Sequence, residues 1–311
     1  MATLNWCSPP NPPPDRVHLF VQTLALGVLI GGIYALVAAG LSLIFGVMRV
    51  VNFAHGEMSM FGGYGAYFAT SSARLPAAAS LLAAILVGGA IGYLTNSLLL
   101  RSAVKGALDR PGEYVIIVTF ALSLLLQAGA LAMFGPTYRT LNGFWTTDVS
   151  VGTWIHVSGD RIVTFVAALV LVAILFWIVY YTDLGRGWRA LTQNPLGAQV
   201  VGVDVLHLSN LAFATAAALA GAAGALLAPV YLVYPSSGTV VLIKGFIVVV
   251  IGGLGSIAGS LIGGLLLGVT ETLATNYISS AYQDAYGFLL MILVLLLRPQ
   301  GLLGKRQARA V

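Results

Sequence analysis

The chain has 311 residues, of which 59% are hydrophobic and 8% are charged, against roughly 25% charged residues in a soluble domain. This composition excludes a soluble enzyme. The net charge of +5 does not indicate nucleic-acid binding, because most of the Lys and Arg residues flank apolar segments, where such residues orient membrane proteins. The sequence contains no Gly-x-x-x-x-Gly-Lys-Ser/Thr motif, no metal-ligand pair at helical spacing and no nucleophile beside a base, so we expect neither ATP hydrolysis nor a cofactor.

Residues 1–16 form a Pro-rich segment that contains Cys7, the only cysteine. This segment is not typical of a signal peptide, because it lacks a basic start and the apolar run after it is too long. We expect a Pro-rich tail outside the membrane at 1–16, a transmembrane permease domain at 17–304 and a cytoplasmic tail at 305–311.

The chain then contains long apolar segments. A helix needs about 20 apolar residues to cross a bilayer. Six segments of that length or more lack Asp, Glu, Lys and Arg: Val17–Met48, Leu75–Leu100, Tyr114–Tyr138, Ile162–Thr182, Val205–Ile243 and Gly245–Thr270. With a C-terminal span at Ala285–Leu297, the sequence predicts an all-α, polytopic transmembrane bundle of about eight spans with broken or re-entrant helices.

The first break follows the first span. Asn52, His55 and Glu57 lie within six residues between two apolar segments. Polar groups at membrane depth are functional by default, but a carboxylate is also stabilised at a helix N-terminus by the helix dipole. The sequence therefore leaves both a gate in the pathway and a capped turn open.

A polar segment, 183–207, interrupts the apolar sequence in the second half. Asn194 is a good N-cap, Pro195 a good first helical residue and Gly202 a good residue after a C-cap. The segment predicts a short helix, Pro195–Val201, preceded by a basic helical arm with Arg186 and Arg189. Such a well-delimited helix indicates a docking element.

The second predicted break is Gly252–Ser256. Thr239–Ile251 is too short to span, so it predicts a half-helix that turns near mid-depth or at the cytoplasmic side, after which Ile257–Ala274 returns. For Lys244 we expect an amine that extends toward the interface rather than a substrate contact. For Glu271 we expect the outer end of a helix rather than a place in the pathway.

The two breaks suggest two structural repeats with a pathway near their interface. Gly62-Gly63 after the first break and Gly263-Gly264 after the second are the weak sequence echo of such a repeat.

Basic residues predict the orientation. If the predicted spans alternate in direction, five Lys or Arg residues lie on the same side of the membrane as the N-terminus, and ten lie on the other side. The positive-inside rule then places the N-terminus outside and the C-terminus in the cytoplasm.

Four motifs in order resemble the inner-membrane permeases of branched-chain amino acid ABC importers, of the LivH type. They are Gly32-Ile-Tyr34 through Asn52-Phe-Ala-His-Gly-Glu57, Gly185-Arg-Gly-Trp-Arg with Gln193-Asn194 and Gly202, Gly252-Gly-Leu-Gly-Ser256 through Glu271, and Arg298-Pro-Gln-Gly301. The resemblance covers residues 20 to 305.

This resemblance implies a transport subunit without its own ATPase. It implies a second homologous permease, two cytoplasmic ATPase subunits, a periplasmic substrate-binding protein and contact with membrane lipid. The candidate pathway residues are Tyr34, Asn52, His55, Glu57, Gly252, Gly253, Gly255 and Ser256. The candidate ATPase-coupling residues are Gly185, Arg186, Arg189, Gln193, Asn194, Pro195 and Gly202.

Two alternatives stay open. The same permease family serves urea, short amides and aromatic acids, so the substrate is not fixed. A stand-alone secondary transporter or channel would need an ion-coupling site, for which Asn52, His55 and Glu57 are the only candidates.

Overall fold

The structure is a computed structural model that describes residues 16–104, 109–141, 143, 148–151 and 155–304. Residues 1–15 of the predicted N-terminal tail, with Cys7, and the predicted tail 305–311 lie outside these residues, whereas Arg16 begins α1. In chain order the helices are α1 (Arg16–Met48), α2 (His55–Ser71), α3 (Ala77–Leu94), α4 (Arg101–Val104), α5 (Pro111–Phe134), α6 (Gly159–Tyr181), α7 (Asp183–Gln193), α8 (Pro195–Val200), α9 (Val205–Leu227), α10 (Ser237–Gly252), α11 (Ile257–Tyr277) and α12 (Gln283–Leu297). The remaining elements are a π-helical segment joining α3 to α4 (Thr95–Leu100), a 3-10 turn before α12 (Ser280–Tyr282) and an antiparallel hairpin of β1 (Asp148–Val151) and β2 (Ile155–Ser158).

Among the described residues, seven helical segments are long and apolar enough to cross a membrane, and α10 is a shorter apolar helix. This confirms the all-α polytopic fold. The long helices α1 and α9 are mostly buried, whereas α3, α5 and α12 expose large apolar side chains such as Leu86, Leu125 and Leu296. The exposed apolar surface is what helices at the lipid boundary present, so α1 and α9 form the centre of the bundle.

Helix α1 packs along α11 through glycines on both helices. A Cβ on Gly31 would lie 2.7 Å from the Gly264 carbonyl oxygen, and one on Gly27 would lie 2.7 Å from Val269 Cα. Further along, Ser42 Oγ and Ser260 Oγ are 2.6 Å apart. Small residues let membrane helices approach to backbone contact, and the pairing shows that the two helices are antiparallel.

The first predicted break is present. Helix α1 ends at Met48, Arg49 has a positive φ of 54°, and α2 begins at His55. His55 Nε2 lies 3.3 Å from the Val37 carbonyl oxygen, and Val37 lies 11 residues before the end of α1, or about 16 Å along a helix. The chain therefore turns back into the bundle before α2 starts, which makes α2 a half-helix that begins at depth.

The second break at depth lies before α10, at residues 228–236, and not at Gly252–Ser256. The start of α10 touches the start of α2, because a Cβ on Gly238 would lie 2.8 Å from the Gly56 carbonyl carbon. The Gly252–Ser256 turn lies beside Gly46, at the end of the bundle where α1 ends. The sequence had left two positions open for this turn, mid-depth or the cytoplasmic side, and the turn is not at mid-depth. The sequence placed the chain outside the membrane at Tyr234–Pro235 but did not predict a break at depth in 228–236, because Val205–Ile243 contains no charged residue.

The predicted half-helix, return helix and last span occur as α10, α11 and α12. The segment after α12 packs against the end of α10. The Leu302 amide donates to the Ile251 carbonyl at 2.8 Å, and the Leu303 amide donates to the Gly252 carbonyl at 3.0 Å. These bonds fix the C-terminal segment to the end of the bundle that carries the Gly252–Ser256 turn.

Helices α9–α12 repeat the order of α1–α5: a long helix, a break, a half-helix and two further helical spans. Helix α3 packs on α9 through Gly88, Gly92 and Gly221, as α11 packs on α1. The two half-helices meet at their first turns. In transporters built from repeats of this kind, the substrate site lies near the contact of the two halves.

The two repeats run in opposite directions. Helix α1 ends where the α7–α8 segment lies, since the Arg49 guanidinium donates to the Thr192 carbonyl at 3.0 Å. Helix α9 begins there, since Trp188 Nε1 donates to the Leu208 carbonyl at 2.9 Å. The matching of Gly62-Gly63 with Gly263-Gly264 was wrong, because the counterpart of α2 is α10 and not α11.

The α1–α11 contact should tolerate no added methyl group. We expect Gly268→Ala to destabilise the protein by about 1–3 kcal/mol, because its Cβ would meet the backbone of Gly27 and Gly31. The matched control is Gly129→Ala on α5, which has nothing within 4 Å and should be neutral or slightly stabilising. Thermal unfolding in detergent, followed by size-exclusion fluorescence, measures both; equal melting temperatures would contradict this packing.

Candidate functional site

A cavity of about 490 Å³ lies between the two half-helices and α12, within the range of about 300–1,000 Å³ that is usual for small-molecule sites. Its mouth carries Tyr138, Tyr231 and Tyr234, at the end of the bundle opposite α7 and α8. Its floor carries Tyr34, and Lys244 and Asp284 line one side. The walls are mostly apolar, so the few polar groups determine what can bind.

A chain of polar contacts runs from the mouth into the bundle. The Tyr34 hydroxyl lies 3.2 Å from that of Tyr231 and donates to Glu271 Oε2 at 3.3 Å. Lys244 Nζ forms an ion pair with Glu271 Oε1 and another with Asp284 Oδ1 at 2.8 Å. Lys244 and Glu271 are buried, while the Asp284 side chain is 78% exposed. We call Tyr34, Lys244, Glu271 and Asp284 the ionic cluster.

The structure corrects two expectations. Lys244 does not extend to the interface but is buried in an ion pair, and Glu271 faces the interior rather than marking a helix end. A lysine inside an otherwise charge-free half-helix was the available signal, since ionisable groups at this depth need a partner. Asp284 and Tyr231 were missed, because each lies next to a loop and resembles an ordinary interfacial residue.

The residues of the first break support the start of α2. Asn52 Oδ1 accepts a hydrogen bond from the Ala54 amide at 3.0 Å, and the Phe53 amide donates to Thr119 Oγ1 at 3.2 Å. Glu57 lies in the first turn of α2 and contacts Ser123 of α5. Asn52 thus forms a turn before α2, but the N-cap residue Ala54 has no side-chain cap bond, and the turn is buried in the bundle. Asn52, like Glu57, does not line the cavity, although Ser59 and Met60, on the next turn of α2, do.

His55 packs under the centre of the bundle. It is fully buried, and a Cβ on Gly40 of α1 would lie 3.0 Å from His55 Cε1. The ring therefore fills space that a glycine leaves open, and it joins α2 to α1 below the cavity.

The candidate residues Gly252, Gly253, Gly255 and Ser256 lie away from the cavity, in the turn between α10 and α11. Gly253 has a φ of +102°, and a Cβ there would lie 2.6 Å from Gly304 Cα. Ser256 Oγ accepts from the Gly259 amide at 3.0 Å and so caps α11. Gly255 and Ser256 also line a second cavity of about 430 Å³ at the end of the bundle near α7.

The α7–α8 segment has the predicted capped structure. Thr182 caps α7, and Asn194 Oδ1 accepts from the Gly197 amide at 3.0 Å at the start of α8. Helix α8 begins at Pro195, and Gly202 follows it with a φ of +86°. The predicted short helix is confirmed.

The basic arm is partly a structural element. The Arg189 guanidinium donates to the Val179 carbonyl and lies 5.9 Å from the centre of the Tyr180 ring, which ties α7 to α6. Gly185 is buried against the end of α6, Arg186 pairs with Asp183 on the surface, and Gln193 is exposed at the end of α7. Apolar side chains of α8 are the unexplained feature: Leu196 and Val200 are 74% and 87% exposed.

Comparison with known proteins supports the architecture. The family described as branched-chain amino acid transport system / permease component matches residues 23–297. The chain is 31% identical to LivH, the high-affinity branched-chain amino acid transport system permease protein of Salmonella typhimurium, over 96% of this chain and 99% of that protein. It is 31% identical to BraD, the high-affinity branched-chain amino acid transport system permease protein of Pseudomonas aeruginosa, over 95% of this chain and 99% of that protein. It is 26% identical to LivM of Salmonella typhimurium over 87% of this chain and 68% of that protein.

The matched region extends from the first span to the end of the last and includes both half-helices, the cavity and the α7–α8 segment. The chain is therefore a multi-pass membrane protein and belongs to the branched-chain amino acid transport permease family.

Proposed function

We propose that the chain is a permease subunit of an ABC importer that carries branched-chain amino acids across a bacterial inner membrane. The names of LivH, BraD and LivM support the substrate class. Urea, short amides and aromatic acids, which were open alternatives, find no such support among these relatives.

One observation carries the proposal: the cavity and a capped helix with an apolar surface lie at opposite ends of one bundle. A substrate enters at one end, and a partner that docks at the other end supplies the energy. The chain provides no ATPase motif of its own, so two cytoplasmic ATPases fill that role. A ligand moves only if its affinity differs between the outward-open and inward-open states.

The exposed face of α8 fits such a partner. Leu196 and Val200 lie four residues apart, so they share one face of the helix, and Val201 beside them is 78% exposed. Exposed apolar residues in a cluster mark protein interaction sites. This face lies outside the lipid-covered part of the bundle, because α7 and α8 follow the end of the spanning helix α6.

A stand-alone secondary transporter is not favoured. It would need an ion-coupling site. Asn52, His55 and Glu57 do not line the cavity, whereas Lys244 and Asp284 of the ionic cluster do, so the ground against this alternative is that the matching family and relatives are permease components of transport systems. The similarity to both LivH and LivM instead supports pairing with a second, homologous permease, while a periplasmic binding protein delivers the substrate to the mouth.

The docking prediction concerns α8. We expect the double change Leu196→Asp and Val200→Asp to lower recovery of the ATPase with the affinity-purified permease at least about tenfold, because two charges in an apolar contact must be desolvated. Substrate uptake should fall to the same extent. The matched control is Ile278→Asp, which places a charge at an equally exposed apolar residue at the opposite end of the bundle. ATPase recovery equal to that of the control would refute the docking assignment.

The orientation is also testable. With Cys7 replaced by Ser, a cysteine at Ile278 should react with a membrane-impermeant thiol reagent in intact cells, and a cysteine at Val201 should react only after the membrane is opened. The reason is the excess of Lys and Arg at the α7–α8 end of the bundle, which the positive-inside rule assigns to the cytoplasm. The reverse labelling pattern would place the N-terminus inside.

A further inference from the structure

The ionic cluster is unusual because it places charge inside a bundle that has very little. A buried ion pair contributes little to stability, since the cost of removing both charges from water offsets their attraction. Ionisable side chains within membrane segments instead mark pathways for substrates and ions. Lys244 and Asp284 both line the cavity, so these two charges can reach a bound molecule.

The charges of the cluster do not balance. Glu271 is buried against Lys244, and this pair is neutral as a unit. Asp284 adds a second carboxylate, mostly exposed, to the same ammonium group. The cluster therefore carries one net negative charge, which disfavours a molecule that is only an anion and favours one that brings an ammonium group.

The contact between Lys244 Nζ and Asp284 Oδ1, at 2.8 Å, can be exchanged for contacts with a ligand. An α-amino acid carries an ammonium and a carboxylate on one carbon. If it enters between the Lys244 and Asp284 side chains, the ion pair between them is replaced by two others. Lys244 pairs with the carboxylate of the ligand, and Asp284 pairs with its ammonium group. A ligand that lacks the ammonium group would gain one ion pair with Lys244 and lose the one between Lys244 and Asp284, with no net gain of ion pairs.

We propose that Lys244 binds the carboxylate and Asp284 the ammonium group of a zwitterionic aliphatic amino acid in this cavity. This inference rests on the proposed function, since it assigns the substrate site within the permease itself. Glu271 and Tyr34 act as positioning residues: Glu271 fixes Lys244, and the Tyr34 hydroxyl fixes Glu271 at 3.3 Å.

One part of the wall favours an aliphatic side chain. Met60, Leu227, Val230, Val240 and Val241 line the cavity and have no hydrogen-bonding side chain, whereas the polar lining residues outside the ionic cluster are Ser59, Ser237, Gln283 and the tyrosines. A polar ligand side chain placed against the aliphatic residues would lose its hydration without compensation. A branched aliphatic side chain loses no hydrogen bond on entering.

Protection from thiol labelling tests binding directly and needs neither ATP hydrolysis nor uptake. Val240 is 43% exposed and lines the cavity, so a Cys7→Ser/Val240→Cys chain carries its only thiol at the site. The assembled complex, in right-side-out vesicles without the binding protein, is treated with a cationic methanethiosulfonate reagent. L-leucine at ten times its Kd should slow the reaction about tenfold, because about one site in eleven stays free.

The comparison ligand is 4-methyl-2-oxopentanoate, which has the carbon skeleton and carboxylate of leucine but no ammonium group. It should give no protection at the same concentration. Asp284→Asn should raise the Kd of L-leucine about tenfold or more, because it removes a charge-assisted contact, so that at the same concentration the protection falls to about twofold or less. As a control for position, Ile278→Cys, which is exposed but outside the cavity, should react at one rate with and without L-leucine.

A second variant separates binding from folding. Lys244→Met alone would leave Glu271 buried and unpaired, which destabilises a protein strongly, so it is combined with Glu271→Gln. The double variant should assemble to a normal level and lose protection. Because Asp284 is exposed, Asp284→Asn should assemble normally as well.

Three results would overturn the proposed site: no protection by L-leucine, equal protection by the oxo acid, or unchanged protection in Asp284→Asn or the double variant. If any of these occurs while the ATPase is recovered with the complex and uptake is normal, the site assignment fails and the proposed function stands. If the ATPase is not recovered, the proposed function fails, and the labelling result still reports whether the cavity binds a zwitterion.

Discussion

The contact between the first turns of α2 and α10 is the constraint on which the structure depends. A helix that begins inside a membrane exposes amide groups that lipid cannot satisfy. Here two such helices begin against each other, with Gly56 and Gly238 in backbone contact, and the chain before α2 is held by Asn52 and Thr119. Because neither half-helix reaches across the bundle, the space that a full helix would occupy becomes the cavity.

The second requirement is that each buried charge has a partner. Lys244 lies two turns into α10, and its partner Glu271 lies on α11, the helix that packs along α1. The Tyr34 hydroxyl on α1 reaches the same carboxylate. Three helices are thus linked at one point beside the cavity, while the glycine contacts of α1 with α11 bring their backbones close enough for this to occur. The close packing of the small residues is therefore what allows Tyr34 on α1 to reach Glu271 on α11.

Much of the fold could be predicted from the sequence, because the signals were local. Charge-free runs revealed the spans, and Asn194, Pro195 and Gly202 fixed α8 almost to the residue. A loop was expected outside the membrane at Tyr234–Pro235, but the depth of the break at 228–236 was not predicted, since no charge marks it. The pairing of Lys244 with Glu271 was also missed, because it joins residues on two helices, and only the antiparallel arrangement of α10 and α11 brings them together. The sequence also left the depth of Gly252–Ser256 open, because a glycine-rich turn has the same sequence pattern in the interior and at the end of a bundle.

Helix α1 connects the two ends of the molecule. Tyr34 forms part of the cavity floor, and Arg49, directly after the helix, donates to the Thr192 carbonyl in α7. The two residues are 15 positions apart, or about 22 Å along a helix, with no break between Tyr34 and Met48. A displacement of α7 must either break the contact with Arg49 or move α1, and α1 cannot move far without disturbing its glycine contacts with α11. Helices α1 and α11, packed together in this way, extend from the contact of Arg49 with α7 to Tyr34 and Glu271 beside the cavity, so a joint displacement of the two helices would change both ends of the bundle.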